Sequence, residues 1–520
     1  MNALPLAMFL TLGAAAAQTL PPGFPVVPEP LTLSLMGSKG PLQGDWPELR
    51  FFQEMRRSNL DFTFDTPPDA VYEERKNLVL ASGRLPDVFF GGRLSAADEV
   101  TYGTQGLLLP LEPLLAEHAP NVYRLLGADP AVRRAITTPD GHIYALPAVT
   151  AGFGVYPKLW LNGPWLDALG LEPPTTVEEF YTVLKAFKTG DPNGNGVADE
   201  VPLTSASLEG WPLDDLRPGL LAAFGFAVGY GDELFDVRSG RVRFVAAEGG
   251  FRDYLAFMNR LYREGLLDPD AFTQDFLGVV AKGADDRLGV FNAPGSFLVV
   301  GTERDEDFAL LTPLASPSSP EPLWPRLPSV QRGTFAVSST NPAPAATLRW
   351  VDFLYSPAGA FLLVHGLEGT DWERTPAGGV RRLLPEGVNP EEYRAGRLTP
   401  DSGTQLPHDR RPVFAASNIG LQETHPENFY IAQETRRLEP YAVPTLPPLY
   451  FTAGEQGELS ALLLDLTRYT QEAEAAFITG RRPLGEWDAH LEALERLGAG
   501  RVAELHQAAY ERYLAAGGAD

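Results

Sequence analysis

Two successive runs of short apolar, strand-like stretches, each interleaved with segments of helical spacing, constrain this chain more than any other feature. In the first run Leu31–Met36 alternates apolar and polar side chains, and residues 61–64 and 86–90 (PDVFF) read as further strands. Helical spacing covers 47–58, 72–82, 96–105, 111–117 and 121–126, and 144–149 returns to strand character. The second run predicts strands at Leu159–Asn162, Leu288–Asn292 and 334–338. Its helices are 176–187, with Thr175 as N-cap, then 251–264 and 343–355. Residues 312–332 are proline-rich and read as a crossing segment, and 456–516 are mostly helical. This alternation predicts α/β lobes built on largely parallel sheets.

At 520 residues the chain exceeds one small core, and roughly two to four domains or lobes are expected. Its 67 acidic against 42 basic residues give a net charge of -25. That field repels phosphate backbones and anionic lipid, and the basic residues are scattered, so neither a nucleic-acid nor a membrane-surface role is expected. The sequence has no cysteine, which excludes disulfides, zinc-thiolate and iron–sulfur sites, thiol nucleophiles and a lipidated cysteine anchor. Residues 1–17 form an uncharged apolar run ending in small residues at Ala15 and Ala17. This pattern predicts a secretory leader cut after Ala17, the alternative being an uncleaved anchor. A proline-rich lead, 18–30, follows.

The segment Asp191-Pro-Asn193-Gly-Asn195-Gly196-Val197-Ala-Asp199-Glu200 places side-chain oxygens at loop positions 1, 3, 5, 9 and 10, with glycine at 6. That is the first part of an EF-hand-like calcium loop, with the Val197 carbonyl as the position-7 ligand. Position 12 is Pro202, so the usual terminal glutamate is missing. The predicted role of the calcium is structural, pinning the loop after helix 176–187. Sugars present flat C–H faces to aromatic rings. Trp46 ends the loop after the first strand, where open α/β sheets place ligands, and Trp211 and Trp324 occupy Gly-Trp-Pro-Leu and proline-rich segments. Polar candidates are Lys39 and Asp45 in the Trp46 loop and Asp87 at the start of PDVFF. Trp165, Trp350 and Trp487 sit on apolar faces and read as core.

Resemblance to a known family is extensive. It is carried by RKNLVLASGRLPDVFFGG, YGTQGLLLPLEPLLAEHAPNV, AITTPDGHIYALPAV and LWLNGPWLDALGLEPPTTVEEFYTVLKAFKTGDPNGNGVADEVPLT, then by LRWVDFLYSPAGAFLLVHGLEG and AAFITGRRPLGEW. The chain resembles the extracellular solute-binding proteins of ABC importers, in the branch of the alginate- and oligosaccharide-binding proteins. The resemblance implies the type 2 periplasmic-binding-protein fold, two α/β lobes joined by a hinge with an interlobe ligand cleft. It places 31–148 and 334–372 in the N-terminal lobe and 149–333 and 373–516 in the C-terminal lobe. It also implies that Asp199 and Glu200 close the calcium site, that Phe291 and Asn292 face the cleft, and that Glu368 lies near the hinge.

No nucleophile elbow, phosphate loop or H-E-x-x-H motif occurs, and the seven histidines are scattered. The function implied by the resemblance is capture of an oligosaccharide or related polar solute for the permease subunits of an ABC importer. The implied protein is a monomeric, periplasmic or secreted binder that does no covalent chemistry. The alternatives are a polysaccharide hydrolase or lyase, and a binder of peptides or lipid-like solutes with a more aliphatic cleft.

Overall fold

The strand-like stretches pair into two separate sheets. A computed structural model describes residues 24–516 apart from 151–156, 207–212, 214–215, 230–233, 386–387, 389, 401–405, 420 and 425. The leader expected at 1–17, residues 18–23 of the lead and Trp211 lie outside the described residues. The chain first supplies β1 (Leu31–Met36), β2 (Leu60–Asp65), β3 (Val88–Phe90) and β4 (Ala145–Val149). Next come β5 (Leu159–Asn162), β6 (Val201–Leu203), β7 (Phe235–Arg238), β8 (Arg241–Phe244), β9 (Leu288–Asn292), β10 (Phe308–Leu310) and β11 (Trp324–Arg326). The chain then returns through β12 (Val330–Val337), followed by β13 (Trp372–Arg374), β14 (Val380–Arg382) and β15 (Ala442–Pro444).

The first lobe is built on a five-stranded sheet, β2-β1-β3-β12-β4, and the second on a four-stranded sheet, β10-β5-β9-β6. The expected parallel pairing holds for β1 with β2 and β3, and for β6 with β9. It fails for β12 against β3 and β4, and for β5 against β9 and β10. Strands β5 and β12 each enter from the other lobe, so they run against the strands made within the lobe. Each sheet buries its own aromatic and aliphatic core. Phe90, Phe335 and Trp350 belong to the first core, and Trp160, Phe187 and Phe291 to the second.

Element ends follow side-chain chemistry. The helix Val177–Thr189 is capped by Thr176 rather than Thr175, through a capping box with Glu179. Thr175 instead donates its backbone N–H and hydroxyl to the same Glu179 carboxylate, at 2.8 Å each. The boundary expected at 372/373 falls inside β13. Arg50 pairs with Asp371 at 2.6 Å, and the Gly44 N–H donates to the Ala395 carbonyl at 3.0 Å. These bonds keep the chain on first-lobe elements well past residue 372. The helix Pro426–Leu438 contacts the second lobe, where Tyr430 donates to the Phe308 carbonyl at 2.7 Å and Glu434 accepts from Leu310 N at 2.8 Å.

The segments joining the lobes lie side by side. Thr150 N donates to Ser329 O, Arg410 N to Val149 O, and Thr445 N to Arg326 O, at 2.8–3.0 Å. Among the described residues no helix is long and apolar enough to cross a membrane.

Candidate functional site

Against these joining segments, between the lobes, lies a cavity of about 800 Å³. The first lobe contributes Ser95, Ala96 and Ala97, and β12 contributes Val330 and Arg332. Thr445, Leu449 and Phe451 come from the joining segment after β15, and Phe235, Gln456 and His506 from the second lobe.

Local sequence explains how each group arrives there. Ser95 and Asp98 form a capping box that opens the helix Ala96–Thr104 at the cavity wall. In β12 the register slips between Gln331 and Phe335, around Gly333 at φ 71°. A Cβ at Gly333 would sit 2.0 Å from the Leu94 carbonyl, so the bulge requires glycine. That bulge breaks the strand's alternation beside Arg332. The His506 ring stacks on Phe235 with centroids 3.8 Å apart and meets Phe451 edge-on at 5.0 Å. Its Nδ1–H donates to the Val502 carbonyl at 2.8 Å. The result is a wall of rings and prolines carrying a few polar groups, the pattern that suits a solute with C–H faces and hydroxyls.

Behind this wall Glu99 is fully buried. Its Oε2 accepts from the Tyr450 hydroxyl at 2.7 Å, and its Oε1 has no hydrogen-bond partner among the described residues. The Arg332 guanidinium lies 4.5 Å over the Tyr450 ring and donates to the Leu449 carbonyl at 2.8 Å. Burial pushes the Glu99 carboxyl up to about 8, against the opposing pull of Arg332 and the Tyr450 hydrogen bond.

None of the eight described residues expected at the ligand lines this cavity. Trp46 is a core residue, stacked on Phe52 at 5.3 Å and edge-on to Phe64 and Phe90. Phe291 packs on Phe308 in the second core, and Trp324 is buried with its Nε1–H donating to the Pro157 carbonyl at 2.9 Å. Asn292 is buried and accepts from Lys158 N at 3.1 Å. Asp87 ties β3 to β1 by accepting from Ser34 N and Oγ at 2.7 Å each. Lys39 and Asp45 pair with each other in the loop after β1. Glu368 pairs with Arg374 at 3.0 Å, beside a separate first-lobe cavity lined by Phe24, Phe361 and Trp372. Trp211, the ninth, lies outside the described residues. The sequence reading did not single out Phe235, Arg332, Phe451, Gln456 or His506, which line this cavity. The only signals were that Arg332 ends the proline-rich crossing and that Gln456 opens the C-terminal helices.

The 191–200 loop leaves the end of the Val177–Thr189 helix and enters β6. Asp191, Gly194 and Gly196 all have positive φ, 48°, 68° and 73°, which curls the chain into a tight turn. Both Asp191 carboxylate oxygens accept from Gly196 N at 3.2 Å, so that carboxylate faces the turn's interior. Asn193 and Asn195 side-chain oxygens accept from the N–H two residues on, at 3.2 and 2.6 Å. The Asn195 amide donates to Asp199 Oδ1 at 3.1 Å, and Arg287 donates to the Asp199 carbonyl at 3.0 Å. Glu200 Oε1 is buried with no hydrogen-bond partner among the described residues. Among the described residues no three His, Cys, Asp or Glu side chains gather closely enough to hold a metal by themselves. A calcium ion here would therefore depend on amide and backbone oxygens as well, which hard-cation loops use. The inward Asp191 carboxylate and the Asn193 and Asn195 amide oxygens in the same turn fit that requirement.

Comparison with known proteins gives an end-to-end match. Residues 38–361 match the family model described as bacterial extracellular solute-binding protein. The fructooligosaccharide ABC transporter substrate-binding protein FusA of Streptococcus pneumoniae serotype 4 is 29% identical over 509 residues, 94% of this chain and 91% of FusA. A solved structure of FusA's EF-hand mutant in complex with fructo-nystose superposes with a TM-score of 0.75 at 27% identity, covering 93% of this chain and 100% of that one. The alginate-binding protein AlgQ2 without calcium ion superposes at 0.65 with 25% identity, covering 94% of this chain and 99% of that one.

Proposed function

The chain belongs to the bacterial extracellular solute-binding proteins, and from that premise we propose that it captures an oligosaccharide between its lobes and delivers it to the permease subunits of an ABC importer. The observation that carries this reading is the cavity at the joining segments, lined from both lobes by rings and hydroxyl-binding groups. A ligand touching both lobes favours their closed arrangement by its differential affinity, and the permease reads closure. The protein makes and breaks no covalent bond in this scheme. It acts as an exported monomer, with the leader removed after Ala17.

Kestose is the first probe, chosen because FusA, named for fructooligosaccharides, has a solved structure in complex with kestose. At about 100 times its dissociation constant it is expected to stabilise the folded protein by about 2.7 kcal/mol in a thermal-shift measurement. Arg332→Ala is expected to cost about 1.5–3 kcal/mol of binding, roughly ten- to hundredfold in affinity by calorimetry. A shift with peptides or lipid-like solutes, and none with any glycan, would keep the importer and overturn the cargo. Release of shorter sugars during incubation would overturn the non-enzymatic reading.

Asp191, Asn193, Asn195, the Val197 carbonyl, Asp199 and Glu200 would hold a structural calcium ion. Bound there, it would tie the end of the Val177–Thr189 helix to β6, since binding to the folded state alone adds to stability. A chelator is expected to lower the melting temperature of the wild type and to leave an Asp191→Ala, Asp199→Ala double variant unmoved. An unchanged wild-type melt after chelation removes the assignment.

A further inference from the structure

We propose that the Glu99–Tyr450 hydrogen bond is a proton-operated latch holding the first lobe against the joining segment that walls the ligand cavity. Glu99 belongs to the helix Ala96–Thr104, whose first residues line the cavity. Tyr450 stands between two cavity residues, Leu449 and Phe451, just before the second-lobe helix Ala453–Ile478. The 2.7 Å bond therefore spans the place where one lobe meets the chain leading into the other. Arg332 extends the contact from β12, over the Tyr450 ring and onto the Leu449 carbonyl.

The chemistry of the contact makes it proton-dependent. A fully buried carboxyl with one oxygen unpartnered is tolerated as the neutral acid and penalised as the anion. The groups acting on Glu99 are few. Arg332 on β12 favours its ionisation, as does the Tyr450 hydroxyl, while Asp98 on its own helix opposes it. Asp98 is engaged with Ser95 and with Lys76 at 3.2 Å. On the helix Ala453–Ile478, Glu455 and Glu458 are paired with Arg512 and Arg501. One cation then faces the buried carboxyl, and it does not bring the group back to its ordinary range.

The sign follows from linkage. With the latch closed, Glu99 holds its proton up to about pH 8. With the latch open the side chain meets water and ionises near its ordinary value of about 4.3. Raising the pH across that window pulls the contact open, by about tenfold in the opening equilibrium per pH unit, and the effect levels off once the closed form also ionises. The proposal is independent of which solute is bound, because the latch lies outside the ligand.

Hydrogen-exchange protection factors of residues 96–104 and 449–452 test it on the unliganded chain. In the wild type they are expected to fall about tenfold per pH unit from pH 5 to 8 and then to level. Glu99→Gln keeps an acceptor for Tyr450 without a titrating proton, and its protection is expected to be flat over the same range. Tyr450→Phe is expected to show low protection already at pH 5, and it serves if the glutamine variant folds poorly. Wild-type and Glu99→Gln profiles that coincide would overturn the latch. A failure of kestose to bind would leave these profiles unchanged, so the two readings fall separately.

Discussion

Glu474→Ala is expected to destabilise the second lobe by about 3–5 kcal/mol, the cost of breaking a buried ion pair by removing one member. Arg217 and Glu474 are both almost wholly buried and lie 3.2 Å apart. The Tyr254 hydroxyl adds a hydrogen bond to Glu474 at 3.0 Å. This triad joins the helices Arg217–Ala222, Gly249–Arg263 and Ala453–Ile478. Truncating Glu474 removes an acceptor from the buried Arg217 guanidinium and from Tyr254. Glu474→Gln retains the shape and the acceptor for Tyr254, and is expected to cost less. Replacing both Arg217 and Glu474 with apolar residues of similar volume is expected to recover most of the loss, because the pair's own desolvation is expensive. Urea unfolding followed by circular dichroism reads all three. A Glu474→Ala midpoint close to wild type would mean that the triad is not a support of that lobe.

Trp46→Ala is expected to cost about 3–5 kcal/mol of stability, the range for deleting a large aromatic from a packed core. Its ring is 1% exposed and stacks among Phe52, Phe64 and Phe90. Gly37 packs directly on it, since an added Cβ would sit 2.4 Å from the ring. The loss is expected as a lower unfolding midpoint, with kestose affinity unchanged in whatever fraction stays folded. Retained stability with lost binding would return Trp46 to the ligand, where the sequence reading put it. The two roles predict opposite pairs of results, so a single variant separates them.

Much of the fold was legible because it is written in local patterns. The alternation in Leu31–Met36 and the apolar run Leu288–Asn292 became strands with the bounds read from the sequence. The start of the helix after Thr176 was placed within one residue, because a threonine with a glutamate three positions on satisfies backbone donors that no interior bond can reach. The antiparallel entries of β5 and β12 were not legible. Strand direction depends on which lobe the chain arrives from, and that is a property of the path rather than of the strand.

The lining of the cavity was the least legible. An aromatic residue in a loop carries the same local signal whether its ring faces a sugar or a core. Trp46 and Phe235 show the two outcomes. Trp46 sits in the loop that open sheets offer to ligands, yet it is covered by three phenylalanines. Phe235 begins an unremarkable hairpin and reaches the cavity beside His506, 271 positions away.

By itself the sequence determined the alternating strands and helices of an α/β chain and the glycine-rich turn at 191–200, because each rests on residues that act on near neighbours through backbone hydrogen bonds and periodic burial; the two-lobe arrangement and the family were legible through resemblance to known sequences. Only the tertiary structure decided what walls the cavity and what ties the lobes beside it. Ser95, Phe235, Arg332, Tyr450 and His506 come from separate elements, and whether each meets solvent, solute or protein is set by the packing of distant segments across the hinge.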